Sequence, residues 1–186
     1  MRKTVLWVAV IFALAGRFNL LGARLAGVSL PDTDQVAGTR LVLNGMGLRT
    51  KYLIKVYVAG LYLQEKSSDP QAIIAADKPK RLVMQFLHEV SKSRMVDAFT
   101  DSFNANSPDA KTTLKAEIDR LLGALEPVKV GDQMVFTYVP GSGTSMAING
   151  KDKLAIAGAA FGKVLFAVWL GPEPPTAELK KGLLGR

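Results

Sequence analysis

Cations and phenols alternate along one apolar stretch in the first third of the chain. The cluster comprises Arg49, Lys51, Tyr52, Lys55 and Tyr57, interspersed with branched aliphatic residues. An arginine that projects into an apolar pocket can hold a carboxylate or phenolate by charge-assisted hydrogen bonds, while the walls accept an apolar body. The same side chains could equally decorate a half-exposed strand. The cluster is therefore a candidate anion site, with the surface explanation left open.

Other residues suited to catalysis are few. The chain has one histidine, His88, and no cysteine, which excludes multi-histidine metal sites, thiolate zinc sites and disulfides. His88 could carry a proton, but its context favours a solvated or structural role. Gly141 and Gly143 lie in a hairpin, without the lysine and following helix of a phosphate-binding loop. We expect no metal site and no cofactor.

The elements that carry the cluster are predicted to be strands. Residues 39–44 alternate as a strand, and Asn44-Gly45 followed by Gly47 indicates a turn. Residues 51–63 are rich in β-formers and predict a long second strand. Because both faces of this strand carry apolar residues, we expect both faces to be covered.

The spacing of the two main candidates sets a geometric condition. Arg49 and Tyr57 are eight residues apart, which is about 26 Å along a straight strand. A shared pocket therefore requires a bend or a hairpin between them. Without it, Arg40 becomes the alternative arginine.

The rest of the chain predicts helices and further strands in alternation. A capping residue at 68 or 69 starts a short helix, and Ser91 can cap another. Further predicted elements are a strand at 80–90, a helix at 109–125, hairpin strands at 134–139 and 144–148 followed by Asn149-Gly150, a buried helix at 159–170 and a terminal helix ending near 184. The predicted fold is α+β, a meandering antiparallel sheet with helices packed against it.

The N-terminus has the pattern of a secretory signal. Arg2 and Lys3 precede an uncharged run of 13 residues, too short to cross a bilayer as a helix. Ala13 and Ala15 supply one A-x-A cleavage site, and cleavage further along is also open. We predict a signal peptide over residues 1–28 and one domain over residues 29–186, periplasmic or secreted, with no membrane span after cleavage. An uncleaved anchor or a buried N-terminal helix is the alternative.

The positive charge of the chain is concentrated in this leader. The formal net charge is +8, but four of the 24 basic residues and none of the 16 acidic ones precede residue 29. Residues 29–186 therefore carry a net charge of +4, spread along the sequence. A dispersed charge of this size argues against nucleic-acid binding.

Three stretches resemble the bacterial branch of the chalcone isomerase-like family. They are LNGMGLRTK at residues 43–51, KVYVAGLYL at residues 55–63, and the ending from FG at 161–162 to WLG at 169–171. The similarity extends over about residues 36–185. It implies an open-faced β-sandwich, in which a large antiparallel sheet backed by helices encloses a cleft.

The resemblance also implies roles for particular residues. Plant enzymes of this superfamily cyclise a chalcone in the cleft, whereas plastid relatives bind fatty acids there. Both use an arginine before the long strand to hold the anionic oxygen, which by motif is Arg49, and a strand residue that falls on Tyr57. The isomerases add a tyrosine and an asparagine at positions that fall near Ser91 and Ala98, and neither residue keeps the required group.

These departures favour binding over catalysis. The leading hypothesis is an exported protein that binds a small apolar anion, a fatty acid or a phenolic acid, through Arg49 and Tyr57. The alternative is an intramolecular lyase of the chalcone–flavanone type. A third possibility is a structural or partner-binding domain with a filled cleft.

Overall fold

The computed structural model describes residues 22–186 and centres on a seven-stranded antiparallel sheet. Strands β3 to β9 are hydrogen-bonded in chain order, and β1 and β2 form a separate hairpin. The strands are β1 (Gly22–Leu25), β2 (Val28–Pro31), β3 (Thr33–Val36), β4 (Thr39–Lys51), β5 (Ile54–Leu63), β6 (Lys80–Phe86), β7 (Gln133–Val139), β8 (Gly143–Ile148) and β9 (Lys151–Ile156). The predicted α+β fold, an open-faced β-sandwich, is confirmed.

The predicted signal peptide falls mostly outside the described residues. Residues 1–21 are not described, and residues 22–28 belong to the β1–β2 hairpin. No helix within residues 22–186 is long and apolar enough to cross a membrane.

The two faces of the sheet are covered by different elements, as the apolar pattern of β5 predicts. Tyr57, Ala59 and Leu61 point into the main core beneath the helices. Val58 and Tyr62 point the other way, into a second core that includes residues of the β1–β2 hairpin. Successive side chains of β5 point to opposite faces of the sheet, so the strand contributes to both cores.

Six helices complete the fold of the described residues. They are α1 (Pro70–Ala75), α2 (Lys92–Asn106), α3 (Ala110–Thr113), α4 (Lys115–Ala124), α5 (Ala159–Leu170) and α6 (Ala177–Leu183). The predicted caps are confirmed, since Asp69 and Ser91 accept hydrogen bonds from backbone N–H groups in the first turns of α1 and α2. The single helix predicted over residues 109–125 is wrong. The backbone breaks at Leu114, where φ is −130°, and divides it into α3 and α4.

The turn predicted at Asn44-Gly45 is also wrong, because β4 runs through it. The glycines of this part of β4 instead allow another backbone to approach closely. A Cβ at Gly45 would lie 2.1 Å from the carbonyl oxygen of Gly182, and a Cβ at Gly47 would lie 2.3 Å from the carbonyl oxygen of Leu179. Both oxygens belong to α6, which packs directly on the β4 backbone. Glycine in a strand often marks such an approach.

Asn44 secures this contact from the side. Its amide nitrogen donates to the carbonyl oxygens of Ser67 at 2.9 Å and Leu183 at 2.8 Å, and its amide oxygen accepts from Ser67 N–H. The side chain is buried and its polar groups are used. Asn44 therefore joins β4 to the end of α6 and to the connection that follows β5.

The chain reverses at Tyr52 and Leu53, and not at Asn44-Gly45. Lys51 pairs with Ile54, so these two residues form a two-residue hairpin turn, with φ of 48° and 68° respectively. Positive φ at both central positions is the type I′ conformation that Asn-Gly favours. The long strand predicted over residues 51–63 therefore begins only at Ile54.

Candidate functional site

The β4–β5 hairpin brings Arg49 and Tyr57 face to face. They are direct partners in the register, and the guanidinium carbon of Arg49 lies 5.7 Å from the centroid of the Tyr57 ring. The register shifts immediately after Arg49, an irregularity of the kind that re-aims side chains. The hairpin thus supplies the chain reversal that Arg49 and Tyr57, eight residues apart, need in order to share a pocket.

Both residues line one cavity of about 710 Å³ between the sheet and α2. This volume lies in the range of about 300 to 1,000 Å³ that is usual for small-molecule sites. Apolar wall residues come from β6, from α2 and from the end of α5. They are Met84, Phe86, Met95, Ala98, Phe99, Val168 and Trp169. The lining thus combines polar and charged side chains with an extended apolar wall.

Tyr57 is fixed at the buried end of the cavity. Only 2% of its surface is exposed, and its hydroxyl oxygen accepts a hydrogen bond from Trp169 Nε1–H at 3.1 Å. Burial raises the pKa of the Tyr57 hydroxyl, although the nearby Arg49 charge opposes this. The hydroxyl therefore stays protonated at neutral pH, and its proton can still be donated to a ligand.

Aromatic packing holds the Trp169 side of this pair in place. The Trp169 ring contacts Phe99 edge to face, with centroids 5.9 Å apart, and lies 5.5 Å from Phe136. Tyr57 itself packs edge to face on Phe86 at 5.8 Å. Because aromatic pairs in this geometry are favourable, the hydroxyl has a defined position at the cavity wall.

Arg49 supplies a charge that no salt bridge neutralises within residues 22–186. Within residues 22–186, the guanidinium takes part in none of the ion pairs. The cavity is also lined by Lys51 and Arg94, and by four acidic side chains at its rim. These acids are Glu89, Asp97, Asp101 and Glu173, all exposed. Their exposure to solvent reduces their repulsion of an anion bound at half-buried Arg49.

The structure places the remaining sequence candidates as follows. Arg40, the alternative arginine, is exposed on β4 and does not line the cavity. Ser91 is used as the cap of α2, whereas Ala98 lines the cavity and offers only a methyl group. His88, for which the sequence favours a solvated or structural role, is half-buried and lines the cavity. Within residues 22–186, no group of side chains is placed to hold a metal ion.

Sequence reasoning did not identify Trp169 as a site residue. It lies 112 residues from Tyr57, on a helix that the sequence predicts to be buried because it is apolar on all sides. Nothing local to that helix shows which indole or ring reaches the cavity. The signal available was chemical: a buried indole N–H needs an acceptor.

Comparison with known proteins agrees with this description of the chain. The sequence model of the chalcone isomerase-like family matches residues 22–185. None of the curated proteins searched matches the chain. Among solved structures, the chain is similar to a fatty-acid binding protein of Arabidopsis thaliana, with a TM-score of 0.67 and 16% sequence identity, over 85% of this chain and 92% of that one. At this identity the structural likeness concerns the fold. Since the family match spans nearly the whole described structure, the chain belongs to the chalcone isomerase-like family.

Proposed function

We propose that this protein binds a small apolar anion, with the anionic head at Arg49 and the apolar body along the aromatic wall. The observation that carries the proposal is the pairing of Arg49 with Tyr57 at one cavity that also has an extended apolar wall. A guanidinium presents two parallel N–H groups that match a carboxylate. The arrangement therefore suits a carboxylic acid with a long apolar part.

The state of Tyr57 supports the same ligand class. Since the indole of Trp169 already donates to its oxygen, the hydroxyl proton is directed to another acceptor, such as a carboxylate oxygen held at Arg49. Because its raised pKa keeps this tyrosine protonated at neutral pH, it can donate a hydrogen bond but is not available to abstract a proton. This favours binding over proton abstraction.

Among apolar anions, we propose a fatty acid before a phenolic acid. The Arabidopsis protein with a similar fold is described as a fatty-acid binding protein. The cavity of the present chain has the flexible methionine and aromatic lining that accepts an alkyl chain. A phenolic acid fits the same head group and is the comparison ligand in the test.

An intramolecular lyase remains the competing proposal. It would need a group that handles a proton beside the bound phenolate. Ala98 offers none, and Ser91 is occupied as a helix cap, but half-buried His88 lines the cavity and is the candidate for that role. Purified protein should leave chalcone cyclisation at the buffer rate; turnover lost in His88→Gln would favour the lyase.

We further propose that the protein is exported to the periplasm or secreted. Support comes from the basic residues Arg2 and Lys3 ahead of a 13-residue uncharged run. An extracytoplasmic fatty-acid carrier would meet its ligand at a membrane.

Calorimetric titration with dodecanoate tests the binding site. Truncation of one partner in a buried charge pair costs about 2 to 5 kcal/mol, so Arg49→Ala should weaken binding at least about 30-fold. Arg49→Lys should recover only part of the loss, because an ammonium lacks the planar fork. Arg40→Ala is the matched control, since this arginine is exposed on the same strand and outside the cavity.

Two results would contradict the proposal. Equal affinity of wild type, Arg49→Ala and Arg40→Ala would mean that the cation at residue 49 holds no ligand. Absence of binding by wild type to both dodecanoate and a phenolic acid would favour a structural domain with a filled cleft.

A further inference from the structure

The tip of the β4–β5 hairpin, residues 51–55, exposes apolar side chains that no element within residues 22–186 covers. Leu53 is 97% exposed and Tyr52 is 88% exposed, and Ile54 is also exposed. Single exposed apolar residues are ordinary, but three in succession at a projecting turn are not. The hairpin tip therefore presents a small apolar surface to the surroundings.

The backbone of the hairpin tip makes this composition more unusual. Tyr52 and Leu53 both have positive φ, which suits glycine and asparagine and is unfavourable for bulky side chains. Neither side chain gains burial in exchange, since both are almost fully exposed. Unfavourable backbone conformations that persist without a packing reason are concentrated at functional segments.

Positive charge flanks the apolar residues within the hairpin itself, and exposed Glu89 lines the cavity beside it. Residues 49–55 include Arg49, Lys51 and Lys55 and no acidic residue. The connection between β6 and β7 ends at the same end of the sheet, because Gln133 pairs with Gln85 next to the start of β5. That connection carries exposed Lys129 and Val130.

The exposed apolar residues are thus confined to one end of the molecule. Within residues 22–186, the large exposed apolar side chains are Tyr52, Leu53, Ile54 and Val130. All of them lie at this end of the sheet, beside lysines. Apolar tips flanked by lysines match a bilayer surface, where the apolar groups enter the interface and the cations meet anionic headgroups.

The hairpin tip also forms part of the cavity mouth. Lys51, Tyr52 and Ile54 line the cavity that contains Arg49 and the buried Tyr57. An apolar ligand that leaves a bilayer at this hairpin would therefore reach the cavity without crossing water. The path leads inward, because the exposure of the β5 residues falls from the tip to Tyr57.

We infer that the hairpin tip docks the protein on anionic lipid bilayers and places the cavity mouth at the membrane. Docking follows from the tip alone; its use for ligand uptake rests on the proposed binding function. The neighbouring cations favour an anionic bilayer over a second copy of this chain, because two copies meeting tip to tip would oppose their lysines.

Vesicle flotation of the full chain tests docking. The probes are vesicles of phosphatidylcholine alone and of phosphatidylcholine mixed with phosphatidylglycerol. Wild type should bind the anionic vesicles, and the binding should fall at high salt because the attraction is screened. Leu53→Gly should weaken binding about tenfold, which corresponds to about 1.4 kcal/mol, since one largely buried leucine is lost from the interface.

The design separates docking from misfolding and from ligand binding. Glycine fits the φ of 68° at position 53, so Leu53→Gly should unfold at or above the wild-type temperature. Neither Leu53 nor Lys55 lines the cavity, so dodecanoate affinity without vesicles should be unchanged in Leu53→Gly and Lys55→Gln. Lys55→Gln should lose about fivefold in anionic-vesicle binding. Ser142→Gly, in the exposed β7–β8 turn at the opposite end of the sheet, is the control.

A position-specific readout comes from the absence of cysteine in the chain. An environment-sensitive fluorophore on Leu53→Cys should shift to the blue with anionic vesicles, and the same fluorophore on Ser142→Cys should not. Equal flotation of wild type and Leu53→Gly, or equal shifts at both labels, would overturn the inference. It would also be overturned if the tip variants changed only self-association without vesicles. If the wild-type protein bound anionic vesicles but not dodecanoate, the result would count against the cavity proposal alone.

Discussion

Replacing Tyr57 with phenylalanine separates the structural and ligand-binding roles of one hydroxyl group. The Tyr57 oxygen is the acceptor for the indole N–H of Trp169 at 3.1 Å, and both side chains are buried. Tyr57→Phe keeps the ring and its packing but leaves that N–H without its partner. An unsatisfied buried donor costs about 1 to 3 kcal/mol of unfolding free energy.

The cost should be visible as a shift of the unfolding curve. In a domain of this size, each kcal/mol lowers the unfolding temperature by about 2 to 4 °C. Urea unfolding followed by circular dichroism gives the free energy directly. In a Trp169→Phe background, where the donor is gone, Tyr57→Phe should cost less than about 0.5 kcal/mol, because the pair no longer exists.

Tyr57→Phe alone should bind dodecanoate about 10- to 150-fold more weakly, because one hydrogen bond to a charged carboxylate is lost. Unchanged stability would refute the reasoning, since it would mean that the indole N–H is satisfied without Tyr57. A lower stability with unchanged affinity would confine the hydroxyl to a structural role.

Two further predictions concern the glycine strand and the leader. Gly47→Ala should lower the unfolding free energy by about 1 to 3 kcal/mol, because the new methyl would meet the α6 backbone. Gly123→Ala, in open space on α4, should raise it by up to about 1 kcal/mol in the same urea unfolding assay. N-terminal sequencing of protein from the periplasmic fraction should begin between Gly16 and Ser29, and a start at or before Gly22 would retain all of β1. An intact Met1 in cytoplasmic protein would contradict export.

Local sequence signals predicted those elements whose cause is itself local. The caps at Asp69 and Ser91 and the Asn149-Gly150 turn are properties of a few adjacent residues, and all three are confirmed. The glycines of β4 are different, because their cause is the backbone of α6, more than a hundred residues away. Sequence alone cannot distinguish a glycine needed for a turn from one needed for contact.

The candidate site shows the same division. Arg49 and Tyr57 were identified as a pair by chemistry and motif, and they do face each other. The turn that joins them was missed because Tyr52-Leu53 has none of the residues that favour a type I′ turn. Trp169 was missed because its partner is distant in sequence.

The contact between α6 and β4 joins elements that are far apart in the order of synthesis. Strands β3 to β9 are hydrogen-bonded in chain order, so each can pair with the strand synthesised before it. The hydrogen bond from Asn44 to the Leu183 carbonyl spans 139 positions, so it can form only after residue 183 has been synthesised. Until α6 docks, the β4 backbone at Gly45 and Gly47 lacks its covering helix. Docking of α6 is therefore the contact that completes this side of the sheet.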